Sequence, residues 1–162
     1  MYCLIRKGKS SSVEVRLKSM LVYYFSDSME ELFGKRIQVV EGDITDAECV
    51  EGLKQYHFKT VINCAACVKH FVNDDILDRI NVHGVENLVR FCSQTGRRLV
   101  QISTVSIAGD NVNDKFPEEK TLHENELFFG QSLENKYIHT KFLAEKAVLE
   151  AVAEGKLDGK VI

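Results

Sequence analysis

Short apolar runs alternate with segments of helical period along nearly the whole chain, and that alternation limits what it can fold into. Tyr2-Cys3-Leu4-Ile5, the run holding Ile37, Val39 and Val40, Thr60-Val61-Ile62-Asn63 and Leu99-Val100-Gln101-Ile102 each read as a strand, the first of them as a buried one. Gly159-Lys160-Val161-Ile162 reads as one more. Between them lie helical patterns. Val13, Leu17, Met20, Leu21, Tyr24 and Phe25 predict a helix to about Phe25, opened by a capping box in Ser11-Ser12-Val13-Glu14. Thr45 or Asp46 caps a short helix over Val50 and Leu53. A longer helix runs from Ile76 through Phe91 and is closed by Gly96. Another spans Asn135 to Ala153. Continuous apolar strands alternating with helices predict the α/β class, a doubly wound parallel sheet with helices on both faces.

The 162 residues suit one domain with one core. A net charge of −3 gives no reason to expect nucleic acid or an anionic membrane as partner. No apolar run approaches the ~18 residues needed to span a bilayer. Met1-Tyr2-Cys3-Leu4-Ile5-Arg6 is too short and too soon charged for a signal peptide, so the expected location is cytoplasmic. The five cysteines are odd in number and scattered, which suits reduced thiols. Cys64-Ala65-Ala66-Cys67 is formally a CxxC with His70 nearby, but no second pair completes a tetrahedral metal site. No metal is expected. His57, His70, His83, His123 and His139 are read as structural or surface residues. The polar stretch from Gly109 to Gly130 holds the lone proline, Pro117, and reads as a long functional loop.

The chemistry-bearing residues begin with Tyr137 and Lys141. Four apart on a helix, they stack on one face. A free phenol exchanges protons poorly near neutrality, and a neighbouring ammonium favours its phenolate. Tyr137 can then act as general acid toward a developing alkoxide, and Lys141 can also reach a cofactor ribose. Ser103-Thr104 follows the fourth strand, at the end of the sheet where ligands bind in open α/β folds. Thr104 is placed to hydrogen-bond a substrate carbonyl, with Ser103 the close alternative.

Arg6-Lys7 follows the first strand. Arginine at such a strand end accommodates the 2′-phosphate of NADP, where an acidic residue would hold the ribose of NAD. Arg6 is the better candidate because guanidinium matches phosphate as a fork, and Arg16 can assist. A solvated basic turn is the other reading. Asp43-Ile44 can take an adenine amine and pack its ring, or Asp43 can simply make a turn with Gly42. Asn63-Cys64-Ala65-Ala66 offers small residues where a backbone can approach ribose and phosphates; tight helix–strand packing is the alternative. Asn81 is an odd choice inside a helix and can brace the active-site strand end.

Taken in order, Cys3-Leu4-Ile5-Arg6, Gly42-Asp43-Ile44-Thr45, Asn63-Cys64-Ala65-Ala66, Arg79 to Gly84, Ile102-Ser103-Thr104-Val105-Ser106 and Tyr137 with Lys141 resemble the extended short-chain dehydrogenase/reductase superfamily. Within it, the chain is most similar to the thioester reductase domains that terminate nonribosomal peptide synthetases, with carboxylic acid reductases as cousins. That resemblance implies an incomplete Rossmann-like fold over a single partial domain, 1–162. It implies NADPH as cofactor and Thr104, Tyr137 and Lys141 as the catalytic set. It also implies an acyl or peptidyl thioester on a phosphopantetheine carrier protein as substrate, reduced to an aldehyde or alcohol. The family's glycine-rich turn has no counterpart here. A βα unit of roughly 30 residues is therefore expected to be missing, together with a later substrate-binding part. The 162 residues alone are then expected to bind NADPH feebly and turn over little, because helix N-terminal amides are the main pyrophosphate site. A nucleotide-sugar epimerase or dehydratase of the same superfamily, and a non-catalytic truncated domain, are the competing readings.

Overall fold

Parallel pairing is the common rule of every strand in the computed structural model, which describes residues 1–8, 11–68, 74–109 and 126–162. The chain divides into two compact units, Met1–Phe58 and Lys59–Ile162.

In the first unit, β1 (Tyr2–Ile5) pairs with β2 (Gln38–Glu41), Tyr2 opposite Gln38 and Ile5 opposite Glu41. The connection is α1 (Val13–Phe25) followed by a 3₁₀ segment, Ser26–Leu32. Ser12 caps α1, its hydroxyl accepting from the Val15 amide at 3.3 Å. The cap is therefore Ser12 in place of Ser11, and with Val15 three residues on, the expected box with Glu14 does not form. Starting the helix at Val13 puts that side chain, the one fully buried residue of α1, at its first turn. Of the apolar residues that predicted the helix, Leu17 and Leu21 are half-buried while Met20, Tyr24 and Phe25 are exposed. Ile37 falls just outside β2 but is buried and bridges to Phe33. Asp46, not Thr45, caps α2 (Ala47–Gly52), its carboxylate accepting from Glu48 and Cys49 amides at 2.9 and 3.2 Å. Leu53 continues into a 3₁₀ turn, Leu53–Gln55. Tyr2 stacks on Tyr56 with ring centroids 4.9 Å apart.

In the second unit, β3 (Thr60–Asn63), β4 (Arg98–Gln101) and β5 (Gly159–Val161) form a sheet in that order, Asn63 opposite Gln101 and Gln101 opposite Val161. The β3–β4 crossover is one helical stretch: α3 (Asp74–Leu77), a π-helical segment (Asp78–His83) and α4 (Gly84–Thr95). Hydrophobic periodicity predicted the helix but not its π segment, which is set by backbone hydrogen bonding. Gly96 ends α4 at φ 65°, a left-handed cap that suits glycine, with its amide on the Cys92 carbonyl.

The β4–β5 crossover ends in α5 (Lys136–Ala153), capped by Asn135 through the Tyr137 and Ile138 amides at 2.9 and 3.2 Å. Helices α4 and α5 pack on each other, and α5 also packs on β5. Leu88, Phe91, Cys92, Leu99, Ala144 and Val148 are buried in this unit. Most of the long loop predicted between Gly109 and Gly130, including Pro117 and His123, lies outside the described residues, as does His70.

Phe91 is 0% exposed and Tyr23 is 81% exposed. Phe91→Ala is expected to lower unfolding stability by about 3–5 kcal/mol through the cavity left behind. Tyr23→Ala is expected to change it by less than about 0.5 kcal/mol. Urea denaturation of both variants checks this.

Candidate functional site

At the C-terminal end of β4, Lys141 meets the segment that leads into Thr104. Lys141 is 4% exposed, and its Nζ donates to the Ile102 carbonyl at 2.6 Å. The same carbonyl accepts from Gln101 Nε2 at 2.9 Å. Two residues on, Thr104 caps a 3₁₀ turn, Val105–Ala108, its Oγ1 accepting from the Ser106 amide at 3.2 Å. That turn packs on α5. Tyr137 is half-buried, one helical turn before Lys141. The ammonium thus ties the helix carrying Tyr137 to the strand end that carries Thr104.

Burial lowers the Lys141 pKa, and the Glu145 and Cys64 side chains act against that shift. Burial raises the Glu145 pKa, opposed by the Ser103 hydroxyl and by Lys141. Ser103 Oγ is buried and closes no hydrogen bond of good geometry, yet it lies near enough to favour the Glu145 carboxylate.

At the end of β3, Asn63 is buried and its side chain is spent internally. Its Nδ2 donates to Gln101 Oε1 at 2.8 Å and its Oδ1 accepts from the Ala65 amide at 3.1 Å. It shapes the strand end and offers little to a ligand. Cys64 and Ala65 are exposed there, and Ala66 is half-buried. Asn81, in the π-helical segment, is buried. Its Oδ1 accepts from the Cys67 amide at 2.7 Å. Its Nδ2 donates to the Cys67 carbonyl at 3.1 Å and to Thr140 Oγ1 at 3.0 Å. Thr140 in turn donates to the Tyr137 carbonyl at 2.9 Å. Asn81 therefore braces the segment after β3 and the helix bearing Tyr137 and Lys141.

Sequence reasoning passed over four residues: Gln101, Thr140, Glu145 and Gln131. Gln101 sits in an apolar strand and Glu145 four residues after Lys141 on a buried face, which is the signal that was available. Gln131 is a staple. Its Oε1 accepts from the Phe129 amide at 2.9 Å, and its Nε2 donates to the Ile107 and Leu127 carbonyls at 3.1 and 2.9 Å. It fastens residues 127–131 to the turn that follows Thr104. Gly109 closes that turn at φ 73°, where a Cβ would strike the Ser132 carbonyl.

In the first unit, Arg6 and Lys7 are exposed just after β1. Arg16 Nη1 donates to the Arg6 carbonyl at 2.6 Å, so it steadies the turn that presents Arg6. Asp43 Oδ1 accepts from the Thr45 amide at 2.9 Å, which makes the turn considered as its alternative role. Ile44 is buried, leaving little surface for a ring to pack on. His57 and His83 are exposed, His83 pairing with Glu86 at 2.9 Å, and His139 is half-buried. All five cysteines are free thiols, and among the described residues no group of side chains is arranged to hold a metal ion. Among the same residues no helix is long and apolar enough to cross a membrane.

Each unit by itself offers side chains that suit one part of a nicotinamide dinucleotide. In the second unit an ammonium, a buried hydroxyl lacking a partner and exposed small residues cluster around two strand ends. In the first unit an exposed basic pair follows a strand.

Comparison with known proteins agrees. The model of an NAD-binding family described as Male sterility protein matches residues 1–162. A thiolation-reductase di-domain from an archaeal non-ribosomal peptide synthetase is 42% identical, with TM-score 0.84, over 99% of this chain and 34% of that one. The reductase domain of the Aureusimine biosynthetic cluster is 32% identical, with TM-score 0.77, over 99% of this chain and 41% of that one. The 3 beta-hydroxysteroid dehydrogenase type 7 of Rattus norvegicus is 32% identical over 85% of this chain and 42% of its own length. The chain thus spans about two fifths of the curated relatives it matches. The architecture is Rossmann-like, with parallel strands alternating with helices, as the alternating pattern predicted.

Asn81→Ala is expected to cost about 1–3 kcal/mol, because it leaves both polar groups of Cys67 without that partner. Urea denaturation measures the loss, and hydrogen exchange at the Cys67 amide should quicken. Burial also pushes the Cys92 thiol up to about 12. At pH 8 a thiol-alkylating reagent is expected to label exposed Cys64 in the native protein and spare Cys92 until unfolding, as read by peptide mass spectrometry.

Proposed function

We propose, from the premise that this chain belongs to the NAD-binding family described as Male sterility protein and to the extended short-chain dehydrogenases/reductases, that it is the nucleotide-binding and catalytic part of an NADPH-dependent reductase of carrier-bound thioesters. The observation that carries this is the 2.6 Å contact of Lys141 with the Ile102 carbonyl. It sets Tyr137 on the helix held against the strand end that presents Thr104.

Hydride addition to the thioester carbon is the chemistry the nicotinamide cofactor supplies when bound. Tyr137 donates its phenolic proton to the carbonyl oxygen as negative charge develops there. Thr104 Oγ1 already accepts from the Ser106 amide, so its hydroxyl proton is left to donate to the same oxygen. Lys141 keeps a positive charge beneath Tyr137 and favours the phenolate that proton donation leaves. Collapse of the resulting hemithioacetal then releases the thiol of the phosphopantetheine arm and an aldehyde. A second reduction would give an alcohol.

In the second unit, the backbone of Cys64, Ala65 and Ala66 would approach ribose and phosphates, Asn63 and Asn81 would shape that surface, and Lys141 would also reach a ribose. In the first unit, Arg6, Lys7 and Arg16 would favour the 2′-phosphate of NADPH, and Asp43 with Ile44 would lie at the adenine. The carrier-bound thioester rests on the two reductase neighbours, and a cytoplasmic location is part of the same proposal. The rat relative favours a second reading, oxidation or reduction at a steroid hydroxyl or ketone by the same three side chains.

The assay uses the natural polypeptide that carries this segment, with NADPH and an acyl-pantetheine thioester. Loss of NADPH is expected with the wild type. Tyr137→Phe is expected to lower kcat by about 100-fold or more. Arg6→Gln should raise the KM for NADPH more than that for NADH. Full activity in Tyr137→Phe, or turnover of a 3-hydroxysteroid but no thioester, would overturn the reading.

A further inference from the structure

Glu145 lies four residues beyond Lys141 on α5 and is 6% exposed. It interrupts a buried stripe that otherwise runs Ala144, Val148 and Ala151. A carboxylate at such a position costs free energy where an alanine or leucine would gain it, unless a charge or donor answers it. Two groups nearby need an answer. Lys141 has three N–H donors and a backbone carbonyl taking one of them. Ser103 Oγ is buried without a hydrogen-bond partner and lies beside Glu145.

We propose that Glu145, one turn from Lys141 on the same buried face of α5, is a positioning residue, the buried counter-charge that keeps the Lys141 ammonium protonated while the Ile102 carbonyl holds it at the end of β4. This rests on, and deepens, the catalytic role given above to Tyr137 and Lys141. The directions of the two titrations agree with it. Burial pushes Lys141 down and Glu145 opposes that shift. Burial pushes Glu145 up, and Ser103 and Lys141 oppose it. Among the other ionisable groups around α5, Cys64 at the end of β3 also favours the ammonium, Tyr137 stands one turn before Lys141, Cys92 of α4 is buried and Asp75 of α3 is exposed. In the π-helical segment Asp78 pairs with Lys136 at 2.7 Å and His83 with Glu86. Arg79, Arg90 of α4 and Lys160 of β5 are exposed. The turn Val105–Ala108 has no ionisable side chain.

Without the carboxylate, the ammonium loses its proton at lower pH, and the alkaline limb of the reaction should move down with it. The test follows the ¹³Cε signal of Lys141 through a pH titration of the natural polypeptide, assigned by its loss in Lys141→Arg. Glu145→Gln is expected to lower the Lys141 midpoint by about one pH unit or more. Glu145→Asp should restore most of that shift. The alkaline limb of kcat should fall by the same amount, with KM for the thioester changed less than about twofold. If Glu145→Gln fails to fold, the coupling is read from the other side. In Lys141→Met the ¹³Cδ midpoint of Glu145 should rise by a matching amount, since the interaction is mutual. A Lys141 midpoint unmoved in Glu145→Gln, or a Glu145 midpoint unmoved in Lys141→Met, would overturn the proposal. The titration needs no turnover. A wild type that reduces no thioester would therefore sink the functional reading and still leave Glu145 judged by its coupling to Lys141.

Discussion

A single ammonium, buried against the end of a strand, organises this chain. Lys141 is placed there by α5, and its bond to the Ile102 carbonyl fixes which turn of that helix meets β4. Slip the helix by one residue and Lys141 would rotate off this face by about 100°. Tyr137, bound to the same face by the helical repeat, would leave with it. The geometry of the site is therefore a matter of register, and the register is set by polar contacts where apolar packing alone would tolerate small shifts.

The neighbouring polar residues extend that control. Gln101 receives Asn63 on one side and shares the Ile102 carbonyl with Lys141 on the other. Asn81 holds both polar groups of Cys67 and reaches Thr140. These side chains run from the ends of two strands to one helix, each buried and each with partners. Placing Asn81 in a π-helical segment fits this. The widened turn shifts the following residues around the helix axis and lets one position address a loop and a second helix together.

Much of this could be read in the residues beforehand, for reasons that differ by element. β1 and β3 matched the expected runs residue for residue, because a parallel strand is a continuous apolar stretch bounded by turn residues. Gly96 announced the end of α4, and Asn135 the start of α5, because caps leave local chemistry in the sequence. Tyr137 and Lys141 fall one turn apart on α5, as their spacing predicted, and Thr104 follows β4. The cap of α1 shifted by one because two adjacent serines offer the same chemistry, and the burial of Val13 decided between them. The π segment and the internal use of Asn63 left no local trace. The internal use of Asn63 depends on Gln101, a partner many residues away, and the π segment on its own backbone hydrogen bonding.

The same comparison separates what positions a ligand from what presents itself to one. Asn63 and Ile44 were read as facing a cofactor and Asn81 as a brace for the strand end, and all three are buried. Arg6, Lys7, Cys64 and Ala65 were also read as facing a cofactor and are exposed. A sequence motif marks both kinds alike, since losing either would spoil the site. Burial divides them. The buried members act by fixing where the backbone and the helix stand, and a change there would alter geometry before it altered affinity. The exposed members act by charge or by being small, and a change there would alter affinity with the geometry intact. Lys141 belongs to both groups: its stem and ammonium are enclosed, yet the role proposed for it rests on its charge. That double demand is why a buried carboxylate one turn further along the helix has a physical role that an apolar residue could not fill.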